Sequence, residues 1–188
     1  MKYIVCFDYN TCTRSVVRQE GVVSSDELQG LIEVESFQEL YNELMARKPK
    51  DQILVVACYP MREAMLTFVT PDLESYQRAV GGNIQFVSVA PYADIICNEE
   101  GKLNHLKLNR GLYRNGTLVD VIAGPMFFVG VDDEGRTISL TCGEMEKIYY
   151  RFLEPEVFVR DREKGLCGIK CSSAIAEILR ENNISIIG

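Results

Sequence analysis

One short stretch of the chain concentrates side chains that suit an anionic or aromatic ligand. Asn109, Arg110, Tyr113 and Arg114 lie close together in a turn-rich segment. A guanidinium group forks onto phosphate or carboxylate, and a tyrosine ring stacks on a base. The plainer interpretation is a hairpin connection whose arginines are solvated. We predict these four residues as the first candidates for ligand binding.

Catalytic groups are sparse elsewhere. His105 is the only histidine, so any histidine-based dyad or triad must use it, yet no nucleophile stands beside it. The acidic clusters Glu99-Glu100 and Asp132-Asp133-Glu134 are each followed by glycine, which is typical of hairpin turns. The sequence therefore predicts no catalytic residue. Scattered carboxylates still leave open an enzyme that acts on nucleic acid or nucleotide.

The sequence contains no established phosphate-binding motif. Gly81-Gly82 follows a helical stretch, whereas a phosphate cradle precedes its helix. A nucleotide would have to bind in a surface pocket between strands or subunits. No cofactor is predicted.

Seven cysteines are scattered through the chain: Cys6, Cys12, Cys58, Cys97, Cys142, Cys167 and Cys171. Their number is odd and most have apolar neighbours, which indicates reduced thiols in a core. Cys167 and Cys171 form the one close pair. Zinc needs four ligands, so this pair would require distant thiols. We predict no metal site.

The net charge is −7, and the acidic excess lies mainly in the middle of the chain. Direct nucleic-acid binding needs a basic face, which no cluster of lysine and arginine provides. The simple interpretation of the acidic excess is a solvated acidic surface. The more specific interpretation is a set of carboxylates that mimic DNA phosphates. No apolar run reaches membrane-spanning length, and Asp8 interrupts the N-terminal apolar residues. We expect a cytoplasmic protein without membrane contact.

The elements that must position these residues follow from hydrophobic spacing and capping signals. Ser36 with Glu39, and Thr141 with Glu144, form capping boxes ahead of amphipathic helices. A third helix begins after Pro71 and ends at Gly81. Strands are predicted over residues 2–7, 53–59, 64–69, 84–89, 93–97, 119–123 and 126–131, with one more through Ile138 and Leu140. A last helix is predicted near 172–182, followed by a tail that adds an edge strand.

This order predicts an α+β fold with an antiparallel, hairpin-rich sheet and flanking helices. We divide the chain into a small α/β N-terminal unit (1–70), a strand-rich domain (71–158) and a C-terminal helix and tail (159–188). The first two units are also compatible with one continuous sheet. Sequence leaves the two arrangements open.

The succession of turn signals from about residue 71 to 158 resembles a family known as domain of unknown function 3846. The matching features include Val80-Gly81-Gly82, Asn98-Glu99-Glu100-Gly101, Asn109-Arg110, Gly124 and Asp132-Asp133-Glu134. Members of that family are typical of bacteriophages and conjugative elements. Because most matched positions are turn formers, the resemblance specifies fold better than activity.

The resemblance implies an accessory protein that counters host defence in a bacterium. We expect a non-enzymatic binder that sequesters a nucleotide-type signal or blocks a host defence protein, acting as a homo-oligomer. Its binding residues would be Asn109, Arg110, Tyr113 and Arg114, with Gly82 and Asn98 adding contacts at the neighbouring turns. The alternatives are an acidic DNA mimic that inhibits a nucleic-acid enzyme and a protein-interaction module of another role.

Overall fold

The structure, a computed structural model, describes residues 3–5, 32–161, 165–172 and 175. Its elements are β1 (Tyr3–Val5), β2 (Ile32–Val34), α1 (Phe37–Ala46), β3 (Ile53–Cys58), β4 (Met65–Val69), α2 (Leu73–Val80), β5 (Ile84–Ala90), β6 (Ala93–Asn98), β7 (Leu108–Arg114), β8 (Thr117–Ala123), β9 (Met126–Val131), β10 (Thr137–Ile138), α3 (Cys142–Phe152), β11 (Glu156–Asp161) and β12 (Gly165–Lys170). The α+β fold with hairpin-rich antiparallel pairing is confirmed.

A central antiparallel sheet organises the molecule. Its strand order is β4-β3-β9-β6-β5, and the short β10 pairs with β9. The interior strand β3 is buried along its whole length, as its uninterrupted apolar sequence ILVVAC predicts. Because β3 pairs with β9, this sheet crosses the division that we placed near residue 70.

Helices cover both faces of the central sheet. One face packs against α1 and α3 and contains Leu54, Val56, Ile95 and Phe128, among others. The other face packs against α2 through Tyr76 and Val80. Alternate residues of each strand thus enter opposite halves of the core, as the two-residue period of a strand requires.

Two further hairpins, β7-β8 and β11-β12, lie outside the central sheet. They contact each other mainly through β7 and β11. Phe158 on β11 is buried to 1% exposure, so the layer between these hairpins excludes water. The two hairpins carry the candidate site between them and α3.

The predicted helices are confirmed at their capped ends. Ser36 Oγ accepts from Glu39 N, and Thr141 caps α3 with Glu144 in a full capping box. The helix after Pro71 has Asp72 as its N-cap, so the proline lies just before the helix. Gly81 ends that helix in the left-handed conformation, with φ of 75°.

Several strand predictions need correction. The segment that we read as turn-rich is strand β7 as far as Arg114, and only Asn115-Gly116 forms the turn. Strands β11 and β12, which pair with each other, were not among the predicted strands. The strand through Ile138 and Leu140 is only two residues long. Most of the predicted C-terminal helix, and all of the tail, lie outside the described residues.

Candidate functional site

Arg110 lies at the centre of the candidate site and is completely buried. Its Nε donates to the carbonyl of Phe152 at 3.1 Å, and its Nη2 donates to the carbonyl of Arg62 at 2.6 Å. Nη2 also approaches the carbonyl of Leu153 at 3.5 Å, and Nη1 donates to the carbonyl and side-chain oxygens of Asn109. A guanidinium group has five N–H donors, so these contacts engage the whole donor set.

The position of Arg110 follows from the end of helix α3. The last carbonyls of a helix have no partner within the helix, and they form the negative end of its dipole. Phe152 is the last residue of α3 and Leu153 is its C-cap. Arg110 therefore satisfies orphan carbonyls with a charge of the favourable sign. Burial lowers the pKa of Arg110, while Cys58 and Glu156 oppose that shift; the group stays charged because its ordinary pKa is so high.

Asn109 is buried beside Arg110 and joins three strands. Its Nδ2 donates to the carbonyls of Cys58 and Gly124, both at 2.8 Å, and its Oδ1 accepts from Arg110 at 2.9 Å. The end of β3, the residue that follows β8 and the start of β7 are thereby held together. Both amide hydrogens are used and the side chain is completely buried, so Asn109 does not reach an external ligand.

Glu156 places a buried carboxylate against the next part of β7. Its exposure is 3%, and its Oε2 accepts from Gly111 N at 3.1 Å and from the Tyr113 hydroxyl at 2.9 Å. Burial raises the pKa of Tyr113, and the hydrogen bond and charge of Glu156 raise it further. Tyr113 is therefore a neutral donor, and its hydroxyl is fixed in place.

Two glycines make room for this carboxylate. A Cβ on Gly111 would lie 2.9 Å from Glu156 Oε2, and a Cβ on Gly168 would lie 2.8 Å from the same oxygen and overlap the Tyr113 hydroxyl. Both glycines are inside strands, where the missing side chain permits close approach of other groups. Strands β7 and β12 thus enclose Glu156 from two sides.

Buried thiols surround the polar cluster. Burial raises the pKa of Cys58 to about 11, although Arg110 acts in the opposite direction. Cys171 is also buried, and burial raises its pKa as well. Thiols with raised pKa values are poor nucleophiles, because the thiolate is the reactive form. The five described cysteines are free, and the prediction of core thiols holds for Cys58, Cys97 and Cys171.

The outer end of the β7-β8 hairpin has a different character. The Tyr113 side chain is 37% exposed although its hydroxyl is fixed by Glu156. Arg114 is exposed, and its guanidinium makes no hydrogen bond or ion pair with another described residue. Asn115 and Gly116 both have positive φ, at 50° and 79°, which is the geometry of a tight hairpin turn. We call residues Tyr113 to Thr117 the hairpin tip.

The other two predicted binding residues lie together at a different place. Asn98 Nδ2 donates to the carbonyls of Val80 and Gly81, and its Oδ1 accepts from Glu100 N at 2.9 Å. A Cβ on Gly82 would lie 2.6 Å from Asn98 Nδ2. This pair closes the C-terminal end of α2 onto the end of β6. Of the six predicted residues, only Tyr113 and Arg114 are both exposed and adjacent in the chain.

Groups associated with metals or catalysis do not gather elsewhere in the described part of the chain. No set of three or more histidine, cysteine, aspartate or glutamate side chains is arranged to hold a metal within residues 34–160 and the short described stretch that follows. His105 lies in a turn with φ of 53° and is exposed. Across the described helices, none is long and apolar enough to cross a membrane.

Fold and site together define an α+β protein in which a buried asparagine and arginine of β7 bind the end of β3 and the end of α3, respectively. The family model for a domain of unknown function, DUF3846, matches residues 53–153. The match exceeds half of the chain, and the chain belongs to this family. It starts at β3, earlier than the resemblance we placed from residue 71. Neither the curated proteins nor the solved structures gave a match.

Sequence reasoning missed the role of Glu156, which lies just beyond the family match. One signal was present, because Gly111 and Gly168 each interrupt a strand where a side chain would be expected. Such glycines indicate that another group approaches closely. The sequence does not identify Glu156 as that group, because Glu156 lies 45 residues from Gly111.

Proposed function

We propose that this chain is a non-enzymatic counter-defence protein of a bacteriophage or conjugative element, and that it binds a host defence protein through the hairpin tip. One observation carries this proposal: a tyrosine whose hydroxyl is fixed by a buried carboxylate precedes an exposed arginine that makes no hydrogen bond or ion pair with another described residue. Tyrosine and arginine are enriched among the residues that dominate protein interfaces. A ring that is already fixed loses little conformational entropy on binding.

The type of partner follows from the strand geometry. Tyr113 and Arg114 are consecutive on β7, so their side chains leave opposite faces of the strand. A small ligand reaches both groups only by lying across the end of the hairpin. A protein surface with a groove receives both faces of such a tip at once. This favours a protein partner over a small molecule.

A nucleotide-type signal is the second candidate, because the chemistry of the two side chains suits it. Arg114 can fork onto a phosphate, and the partly exposed Tyr113 ring can stack on a base. We predicted Arg110 as part of such a site. Its Nε and Nη2 donate instead to backbone carbonyls, so Arg110 contributes to this candidate only by stabilising the fold.

The acidic DNA mimic receives less support from the described contacts. Asp132 accepts hydrogen bonds from Glu134 N, Arg136 N and Arg136 Nε, all within its own turn. These bonds hold the pKa of Asp132 below its usual range. Arg136 also bridges to Glu134 at 3.0 Å, so a cation accompanies the acidic turn. A phosphate mimic would present its carboxylates without such neutralisation.

The proposal is tested by expressing the chain in bacteria that carry individual phage-defence systems and measuring plaque formation. We expect the wild-type chain to restore plaques against at least one system, and Arg114→Ala to remove most of that restoration. Arg78→Ala is the matched control, because Arg78 is an exposed arginine on α2 whose ion pair among the described residues is with Glu74. Equal loss with both variants, or full activity of Arg114→Ala, would contradict the role of the tip.

The two ligand classes are separated in vitro. Thermal unfolding is followed with a panel of cyclic and ADP-ribose-type nucleotides, for the wild type and Arg114→Ala. A rise in melting temperature that disappears in Arg114→Ala identifies a nucleotide ligand. Restored plaques without any nucleotide-dependent shift identify a protein partner.

A further inference from the structure

Strand β5 forms one margin of the central sheet, and within the described residues this edge has little of the usual protection. It is the last strand in the order β4-β3-β9-β6-β5, and no described strand pairs with its outer side. Its sequence, IQFVSVA, contains neither charge nor proline over seven residues. Soluble proteins usually protect edge strands with lysine, proline or short length. Here a bulge near Ser88 and Ala90 is the one such device.

The hydrogen-bond register shows which backbone groups of β5 face outward. Glu99 N donates to the carbonyl of Asn83 at 2.8 Å, so these two residues form a hydrogen-bonded pair just before the strand. Hydrogen-bonded and non-hydrogen-bonded pairs alternate along an antiparallel ladder. Gln85 and Val87 therefore direct their N–H and C=O groups toward β6. The backbone groups of Ile84, Phe86 and Ser88 point away from the sheet.

These three outward residues are arranged symmetrically about Phe86. We propose that β5 pairs with β5 of a second copy of this chain, antiparallel and with the two-fold axis at Phe86. In this register Phe86 faces Phe86 of the partner subunit, and Ile84 faces Ser88 of the partner subunit on either side. Every outward group meets an outward group, each pair exchanging two hydrogen bonds. The bulge begins where this pairing ends.

The side chain of Phe86 supports the same register. It is 47% exposed and lies on the α2 face of the sheet, since its pairing partner Ile96 packs in the core on that face. Two phenylalanine rings placed opposite each other across a strand pair stabilise the pairing. The central sheets of the two copies would become one continuous sheet. This inference stands on β5 alone and does not depend on the function proposed for the hairpin tip.

The net charge of −7 on each copy makes this association depend on ionic strength. Two copies repel each other through solvent, and salt screens that repulsion. Hydrogen bonds and ring contacts at the edge carry no charge. The dimer is therefore expected to be stronger at high than at low ionic strength.

Sedimentation equilibrium over a range of protein concentrations tests the proposal with two lysine variants. Phe86→Lys places like charges opposite each other at the two-fold axis, and we expect its dimer dissociation constant to rise at least about tenfold. Leu103→Lys is the matched control, because Leu103 is 77% exposed and lies outside β5, in the turn that follows β6. A wild type that stays monomeric at all concentrations, or a dimer equally weakened by both variants, would overturn the proposal.

Two backbone readouts make the test specific for the edge. Ser88→Pro removes an outward N–H, so it should weaken the dimer while leaving the pairing with β6 and the melting temperature of the monomer nearly unchanged. Hydrogen exchange of the peptide that contains Phe86 and Ser88 should slow as concentration rises. Protection that is already complete in the monomer would mean that another part of this chain covers the edge, and would sink the proposal.

Discussion

The two ends of strand β7 use the same residue types for opposite purposes. At the inner end, Arg110 is completely buried and is bound to the carbonyls at the end of α3. At the outer end, Arg114 is exposed and makes no contact of this kind with another described residue. Four positions along one strand separate a buried cation that binds the end of α3 from an exposed cation. Burial, and not residue type, assigns the role.

Substitution of Arg110 is the strongest test of the structural role of the inner end of β7. Arg110→Ala removes the guanidinium donors from the carbonyls of Phe152 and Arg62 and opens a cavity between α3 and β7. Losing hydrogen bonds to a charged group and leaving buried carbonyls unsatisfied together cost about 3 to 5 kcal/mol. We expect a loss of that size in the free energy of unfolding measured with urea. A change under about 1 kcal/mol would show that the inner end is not structural.

Gly168 tests how closely the hairpins enclose Glu156. Gly168→Ala brings a methyl group onto Glu156 Oε2 and the Tyr113 hydroxyl, and overpacking of this kind costs about 1 to 3 kcal/mol. Combining it with Tyr113→Phe removes one of the two obstructed atoms. The double variant should therefore lose less stability than the sum of the two single losses. Strict additivity in urea unfolding would contradict the contact between these residues.

Tyr113→Phe tests the contribution of the Tyr113 hydroxyl, which donates to Glu156. It removes the donor to Glu156 but keeps the ring, so we expect a loss of about 1 kcal/mol at neutral pH. Tyr92→Phe serves as a control, because Tyr92 packs beside the core away from this cluster. If the two variants lose the same stability, the bond to Glu156 contributes nothing specific.

The same hydroxyl predicts a dependence on alkaline pH. Glu156 and burial raise the pKa of Tyr113 above its ordinary value of 10.0. As pH rises past that value, the unfolded chain releases the phenol proton while the folded chain retains it. The unfolded state is then favoured, so the folded protein loses stability. Urea unfolding from pH 8 to 11 should show a shallower decline in Tyr113→Phe than in the wild type. Parallel declines would contradict the raised pKa.

The sequence predicts the helices well and strands β7 and β11 poorly, because the contacts that determine the helices are local and those of the two strands are distant. Helices α1, α2 and α3 were predictable because capping residues act on their own turn, within three or four positions. The strands β7 and β11 were hidden because buried Arg110 and Glu156 interrupt the apolar pattern. A polar residue in sequence indicates exposure unless its distant partner is known. Thus the predicted binding segment contained both a core residue and a surface residue.

Arg114 should give the smallest change in stability and the clearest change in function. Arg114→Ala removes an exposed side chain without hydrogen bonds to described residues, and such substitutions usually stay within about 0.5 kcal/mol. We therefore expect urea unfolding to be unchanged while restoration of plaques is lost. Arg114→Lys distinguishes a bidentate contact from simple charge, because lysine keeps the charge without the planar fork. Activity retained in Arg114→Lys would mean that the partner reads charge at the tip. Destabilisation of Arg114→Ala comparable to that of Arg110→Ala would remove the distinction between the two ends of the strand.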